Sequence, residues 1–407
     1  MLRNLGSLEH IFWLLNRSVG TQVVMATEVA GRADERAWRN AFDALQRRHP
    51  MLGVRIAKTE ANWRVFDHCN QLPIPITFAN ESAWTKAGPN AEWLDDKLAH
   101  ELSEPFDDAQ GPLMRATVAI DASRHLVILS AHHSICDGIS LSICYRDLLL
   151  AITGLPLEAK PFPVSLDMLC DMPSEPSRPL PDRGEGITYQ HSVPAVRRLM
   201  LPADISGRFA LRARKEGTTV HGGLVSAVLC AFTQTAIRQD QHEIKVFSPI
   251  DVRTHYGIDD DCGLFLGTMT ASLYRREQQD FWGLARLAMQ KFGVAAARDA
   301  LGATTLGQRS ILDTGLDAAG AVKLRQTAWA RDIMLTNIGR SRFDATIGAF
   351  RIESLWGPLA LTGYPGDYTV GVSTVNGCIH VSVASRRSPI DPILPAVGRE
   401  MYVACSN

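Results

Sequence analysis

The sequence predicts an α/β protein of two lobes, each built on a mostly antiparallel mixed sheet flanked by helices. Three observations lead there. The chain has 407 residues, more than one hydrophobic core ordinarily organises. Helical and strand periodicities alternate in both halves. Between Pro156 and Pro181 stand seven prolines among polar residues, a composition that resists regular structure. These features set a first lobe over residues 1–155, a linker over 156–185 and a second lobe over 186–407.

Along the first half, Trp38, Ala41, Phe42 and Leu45 recur at helical spacing from Asp34 to His49, and Pro50 stops the pattern. Leu52 to Ile56 and Trp63 to Phe66 read as short strands, and Asn90 to Ser103 as a helix carrying Trp93, Leu94, Leu98 and Leu102. Leu113 to Ile120 and His125 to Ala131 form a hairpin pattern across Asp121 to Arg124. The second of these strands is almost wholly apolar, as a central strand buried on both faces would be. From Gly138 an apolar helix runs through Leu150.

In the second half, Pro202 to Lys215, Val220 to Arg238 and Phe281 to Arg298 read as helices. Ile244 to Ser248, Gly267 to Tyr274, Ile333 to Thr336, Phe350 to Trp356, Tyr368 to Val375 and Ile379 to Ala384 read as strands. Asn376-Gly377 between the last two is the clearest hairpin signal, because both residue types tolerate the positive φ of a tight turn. No fixed-period repeat or low-complexity tract is present.

Composition narrows the function. Lys plus Arg (42) nearly cancels Asp plus Glu (43), so no overall field gathers nucleic acid, and nucleic acid is not an expected partner. A local basic funnel for a phosphate-bearing carrier is compatible with that balance. The eight cysteines show no Cys-x-x-Cys pair and no zinc spacing, which fits a reduced, cytoplasmic setting and no metal site. Ile11 to Leu15 is too short for a secretory apolar core, and no apolar run is long enough to span a bilayer.

The chemistry concentrates at His132-His133-Ser134-Ile135-Cys136-Asp137-Gly138, at a strand-to-helix junction where a loop can aim side chains into a cleft. An imidazole titrates near neutrality, so His132 or His133 can take a proton from a hydroxyl or amine as it attacks a carbonyl. Asp137 either orients a histidine or anchors the loop through a distant cation. Gly138 leaves space beside the loop for a substrate arm. The plainer reading is a pair of loop histidines at a turn ending in Asp-Gly. With 12 His and 31 Gly in the chain, the full pattern arises by chance about one time in a thousand.

Ser130 to Gly138 resembles the His-His-x-x-x-Asp-Gly signature of the condensation-domain superfamily. That superfamily includes nonribosomal-peptide condensation domains and the polyketide-associated acyltransferases that esterify mycobacterial lipid alcohols. The resemblance implies two chloramphenicol-acetyltransferase-like lobes forming a V-shaped pseudo-dimer. It implies that His133 is the catalytic base, and that Asp137 is a structural residue paired with an arginine across the site. Ser248-Pro249-Ile250-Asp251-Val252-Arg253 resembles the family's Pro-x-Asp-x-Arg strand end, which makes Arg253 the expected partner. Thr218 to Gly223, Gly263 to Gly267 and Thr336 to Gly339 also have counterparts, and they extend the resemblance over most of the chain.

Three residues in these stretches carry competing roles. His221 is expected to pack or cap rather than react. Thr336 or Asn337 is placed to donate to an oxyanion, against a turn role for Asn337. Cys136 has no activating neighbour in the sequence and reads as a small buried residue.

No Asp-Phe-Gly-Trp-Gly stretch is present, so the chain is unlike plant alcohol acyltransferases. No adenylation motif or carrier serine segment is present either, so it is expected to be freestanding and monomeric. The resemblance implies an acyl thioester donor, on a phosphopantetheinyl acyl or peptidyl carrier protein in trans or on coenzyme A, and no permanently bound cofactor. The acceptor is a small-molecule alcohol or amine, in lipid or natural-product biosynthesis. Ester formation is the first expectation and amide formation the second; a non-catalytic docking module is the alternative outside enzymes.

Overall fold

The computed structural model describes residues 2–60, 63–69, 72–79, 92–173, 193–234, 243–274, 280–293, 298–361, 368–387 and 390–406. In the first half lie β1 (Arg3–Asn4), α1 (Ser7–Val19), β2 (Gln22–Ala30), α2 (Glu35–Arg48), β3 (Val54–Lys58), β4 (Arg64–His68), β5 (Ile76–Ala79), α3 (Glu92–Glu101), β6 (Met114–Ile120), β7 (Arg124–His132), α4 (Gly138–Ile152) and α5 (Leu166–Leu169). The second half adds β8 (Ala195–Leu201), α6 (Ala203–Lys215), α7 (Val220–Gln234), β9 (Glu243–Asp251), β10 (Leu266–Tyr274), α8 (Phe281–Gly293), α9 (Arg298–Leu312) and α10 (Ala318–Gln326). It ends with β11 (Ile333–Arg340), β12 (Thr346–Ile347), β13 (Phe350–Ala360), β14 (Tyr368–Val375), β15 (Cys378–Ser385) and α11 (Ile393–Ser406).

Two six-stranded sheets with helices make the two α/β lobes. One has the order β12-β13-β2-β7-β6-β5 and the other β10-β9-β11-β14-β15-β8, with a small sheet β1-β4-β3 beside the first. Parallel neighbours are confined to β5–β6, β9–β11 and β11–β14 among the described strands, so both sheets are mixed and mostly antiparallel. Strand β7 is buried from His125 to His132, and that explains its unbroken apolar run. In α2, Trp38, Ala41, Phe42 and Leu45 face the core, and Asp34 caps the helix by accepting from the Ala37 N–H. Asn376 and Gly377 turn the β14–β15 hairpin with φ of 50° and 77°.

The sheets cross the boundary drawn in the sequence. β12 and β13 come from the second half and extend the first sheet next to β2. β13 also packs on the second sheet, where Thr369 Oγ1 donates to Ala360 O at 2.6 Å and Ser373 Oγ donates to Leu355 O. The two lobes are therefore tied together by one strand. Within the expected linker, residues 174–185 lie outside the described residues, while 166–169 form the short helix α5 instead of irregular chain. Asp167 of that helix accepts from the Ser7 N–H at 2.7 Å and so caps α1.

The expected helix from Phe281 to Arg298 is α8, ending at Gly293, and a separate α9 begins at Arg298. Residues 235–238 of the expected Val220–Arg238 helix lie outside the described residues. Helix α1 and strand β2 have no counterpart in the sequence reading. Between Ser7 and Asn16 every residue of α1 but Phe12 is buried, the polar Glu9, His10 and Asn16 included.

Candidate active site

Strand β7 ends at His132, and the chain turns through residues 133–137 into α4. The two histidines meet different surroundings. His132 is fully buried, its Nδ1 accepts from the Ser134 N–H at 3.1 Å, and the Phe106 ring stands edge-on at 6.3 Å. Burial and the neighbouring His133 hold its pKa down at about 3, so it is a neutral packing residue.

His133 is 8% exposed and lines an open cleft of ≈ 190 Å³. Its Nδ1 lies 2.8 Å from the Cys136 carbonyl. A carbonyl can only accept, so Nδ1 carries the proton and Nε2 is left as the basic nitrogen. Phe12 of α1 stacks on the ring at 4.3 Å between centroids and 28° between planes. Burial lowers the pKa of His133; the hydrogen bond to Cys136 and the charge of Asp137 oppose that, and Arg331 adds to it. The net effect is an imidazole that is neutral at physiological pH.

Asp137 makes no hydrogen bond to His133. Its side chain caps α4 by accepting from the Ser140 N–H at 2.8 Å and meets Arg253 in a two-pronged pair, Nη1–Oδ2 at 2.9 Å and Nη2–Oδ1 at 3.1 Å. The Phe265 N–H donates to Oδ2 at 3.0 Å. Burial would raise the Asp137 pKa, but Arg253 and these N–H groups hold it below the ordinary carboxylate value.

Arg253 is fully buried and donates further to Asp251 at 3.0 Å and to Ser140 Oγ at 2.7 Å, with the Phe265 ring 5.0 Å from its guanidinium carbon. Ser140 Oγ in turn donates to Gly263 O at 2.8 Å. The segment after β9 is thereby clamped across the start of α4.

Gly138 fits tightly rather than openly. A Cβ there would lie 2.5 Å from Cγ of Pro358 on β13, so the expected room for a substrate arm beside this glycine is filled by that proline. Thr336 and Asn337, on β11, both line the cleft. The Asn337 Oδ1 accepts from the Gly339 N–H at 2.9 Å, a local turn bond. His221 lies on α7 and is bound to Ser248 Oγ at 2.9 Å; burial lowers its pKa to about 4. Cys136 is fully buried, and burial together with the neighbouring Cys262 thiol pushes its pKa well up, so it is no ready nucleophile.

The sequence reading did not reach Phe12, nor Arg342, which pairs with Asp251 at the cleft. It also did not reach a second pocket of ≈ 40 Å³ on the α1 side of His133. Only the Pro-x-Asp-x-Arg stretch carried a signal, through Asp251. Among the described residues no helix is long and apolar enough to cross a membrane.

A family model, Condensation domain, matches residues 15–163. The chain is similar to bacitracin synthase 1 of Bacillus licheniformis, 24% identical over 286 residues, which is 63% of this chain and 5% of that protein. It is 28% identical over 230 residues to surfactin synthase subunit 2 of Bacillus subtilis (strain 168), 48% of this chain and 6% of that protein. The chain thus spans about one twentieth of these relatives.

Its fold is similar to that of polyketide synthase associated protein 5 from Mycobacterium tuberculosis, with a TM-score of 0.69 at 16% identity over 99% of this chain and 98% of that one. The first condensation domain of the CDA synthetase aligns with a TM-score of 0.68 at 14% identity over 100% and 95%.

Proposed function

We propose, from the condensation-domain match over residues 15–163 and the shared fold, that the chain is a condensation-superfamily enzyme that transfers an acyl group from a thioester to a hydroxyl or amine with His133 as general base. One observation carries the reading. His133 has its Nδ1 proton fixed on the Cys136 carbonyl, and it lines both the cleft and the second pocket on the α1 side. A base so held takes a proton from an acceptor on one side while a thioester carbonyl waits on the other.

In the proposed step Nε2 accepts the proton of the acceptor as its oxygen or nitrogen bonds to the thioester carbon. The tetrahedral adduct then collapses, the C–S bond breaks, and the imidazolium returns the proton to the leaving thiolate. No acyl-enzyme is needed, which accords with the raised pKa of Cys136. Asp137 and Arg253 hold the loop and do not touch the reacting atoms. The thioester arm is that of a carrier protein in trans or of coenzyme A. Thr336 and Asn337 line the cleft where an oxyanion donor would act.

The resemblance of the His132 to Gly138 motif to that of the lipid-type acyltransferases favours an ester product. Sequence likeness to peptide synthases supports an amide as the second reading. Intact-protein mass spectrometry of acyl-loaded carrier proteins, incubated with the enzyme and panels of alcohols and amines, is the test. Unloading that depends on His133 and on an alcohol supports the first reading, and dependence on an amine supports the second. An unchanged loaded carrier across both panels and with coenzyme A thioesters would reject acyl transfer and leave a docking module.

A further inference from the structure

Cys136, Cys144 and Cys262 are free thiols buried in the first core, and the transfer step uses none of them. The fold brings them together. Cys136 lies in the turn that leads into α4, and Cys144 lies in α4 four residues after Ser140, on the same helix face. Ser140 Oγ holds Gly263 at both its polar atoms, donating to the carbonyl at 2.8 Å and accepting from the N–H at 3.1 Å. Arg253 Nη2 donates to the Asp261 carbonyl at 3.2 Å. The chain on either side of Cys262 is therefore fixed against the start of α4, and the Cys262 thiol is in hydrogen-bond contact with those of Cys136 and Cys144.

Two of these thiols donate and the third accepts. The S–H groups of Cys136 and Cys144 hold Cys262 well below an ordinary thiol, with burial opposing and His49 adding to the effect. Cys136 is pushed well up by burial and by that bond, and Cys144 by that bond and by burial. A thiol buried among apolar groups is inert, whereas a thiolate in contact with a second thiol is poised to oxidise to a disulfide.

His133, Asp137 and Gly138 line the cleft, and Cys136 between them has no exposed surface. Hydrogen peroxide is little larger than water, so small openings of that wall admit it and exclude bulkier reagents. We propose that Cys136, Cys144 and Cys262 form a thiol centre oxidised by hydroperoxide, in which a Cys136–Cys262 disulfide ties the His133 loop to the segment after β9 and switches the site off. The Cys262 thiolate attacks the peroxide, the O–O bond breaks, and Cys262 becomes a sulfenic acid as hydroxide leaves. The Cys136 sulfur then attacks that of Cys262, the S–S bond forms, and the sulfenic hydroxyl leaves with the Cys136 proton as water. The hydroxide takes up the proton that Cys262 gave, so two thiols and one peroxide give one disulfide and two waters.

A disulfide draws its sulfurs closer than thiols in hydrogen-bond contact, so Cys136 must shift. Its carbonyl holds the Nδ1 proton of His133 at 2.8 Å. Displacing a catalytic group by about 1 Å costs up to roughly a hundredfold in rate. The loss of activity rests on His133 as the base; the disulfide does not.

The full chain, treated with a slight excess of hydrogen peroxide and quenched with iodoacetamide, is read by intact mass and by non-reducing peptide mapping. The expected product is lighter by two hydrogens, carries a Cys136–Cys262 link and returns to the reduced mass with dithiothreitol. Cys144→Ala should form the same link more slowly, because one donor to the thiolate is gone. Acyl transfer by the linked protein should fall roughly ten- to a hundredfold and recover with dithiothreitol. Cys262→Ser should transfer as the parent does, before and after peroxide, and Cys262→Ala serves where the serine does not fold.

Cys136 and Cys262 still reduced after the half-buried Cys170, Cys230, Cys378 and Cys405 have oxidised would overturn the centre. So would a link confined to Cys144 and Cys262, or a sulfinic acid on Cys262 beside an intact Cys136 thiol. Undiminished transfer by the linked protein would remove the switch. A reduced protein that transfers nothing would remove the proposed reaction, and the peptide map would still decide for or against the thiol centre.

Discussion

Strands β7 and β9 end at the same cleft, yet burial has opposite consequences at the two ends. β7 runs into His133, which has no ion-pair partner, so burial favours the neutral ring. β9 leads into Arg253, which is buried still more completely but faces the carboxylates of Asp137 and Asp251, so its charge persists and its pKa rises. Loss of water is common to both; the partner decides the charge state. One end holds a neutral imidazole whose Nε2 can take up a proton, and the other holds charges that stay put and lock the loop. If that division is right, substitutions at the β7 end change rate and those at the β9 end change stability first.

The largest expected effect is at the β7 end. His133→Ala should lower turnover by about two to four orders of magnitude, the usual span for a general base, with circular dichroism and melting temperature near those of the parent. His132→Ala should cost less in rate, because its ring packs in the core beside Phe106 and does not line the cleft. An unchanged rate for folded His133→Ala, or a greater loss for His132→Ala, would reverse the assignment.

At the β9 end, Asp137→Ala and Arg253→Ala should each cost about 3–5 kcal/mol, because each strands a buried charge. The double variant should cost less than the sum of the singles. Denaturant unfolding of the four proteins measures this, and strict additivity would break the comparison at its centre. Additivity together with a large activity loss for Asp137→Ala alone would move Asp137 into orienting His133.

Smaller per group is the acid response of the unpaired, buried histidines. His10 and His132 have pKa values of about 3, and His221 and His380 of about 4, all held down by burial. In the unfolded chain each returns to roughly 6.5, so the unfolded state binds more protons below that pH. Their contribution is therefore fully present above about pH 6.5 and falls away as the pH drops toward the folded values. Between pH 7 and 5.5 each should cost about 1 kcal/mol of stability, read as a falling melting temperature. A melting temperature that holds or rises over this range would show that these rings take up protons in the folded state.

The contrast between the two ends also marks what the sequence made legible. The β7 end is local: an apolar strand, two histidines and an Asp-Gly helix start are contiguous, so the strand, α4 and the role-bearing residues could be read together. The β9 end needed a partner 116 residues away, and the resemblance in Pro-x-Asp-x-Arg supplied what periodicity does not.

Other features left no local trace. Phe12 meets His133 only through tertiary packing, on a helix buried on nearly every side, and β13 joins the first sheet from the far half of the chain. The tight space at Gly138 was invisible for the same reason, because Pro358 arrives on β13. What the sequence withheld is where distant segments dock, and in this protein those segments shape the walls around His133.

The smallest effect separates burial from pairing at His133 itself. In the free enzyme the base must be neutral, so kcat/KM should rise with pH through the pKa of His133 and then level off. Because burial is the largest influence and lowers that pKa, the midpoint of the acid limb should lie below 6.5. Removing the opposing carboxylate should shift it further down, but only slightly, since Asp137 is a smaller influence on His133 than burial and the hydrogen bond to the Cys136 carbonyl. Asp137→Asn keeps an acceptor for the Ser140 N–H and tests this more gently than Ala does. A pH profile of kcat/KM for both proteins gives the answer. A midpoint above 6.5 in the parent, or a downward shift of more than about one unit in the Asn variant, would mean that His133 is governed by its carboxylate neighbour as Arg253 is, and the difference between the two strand ends would disappear.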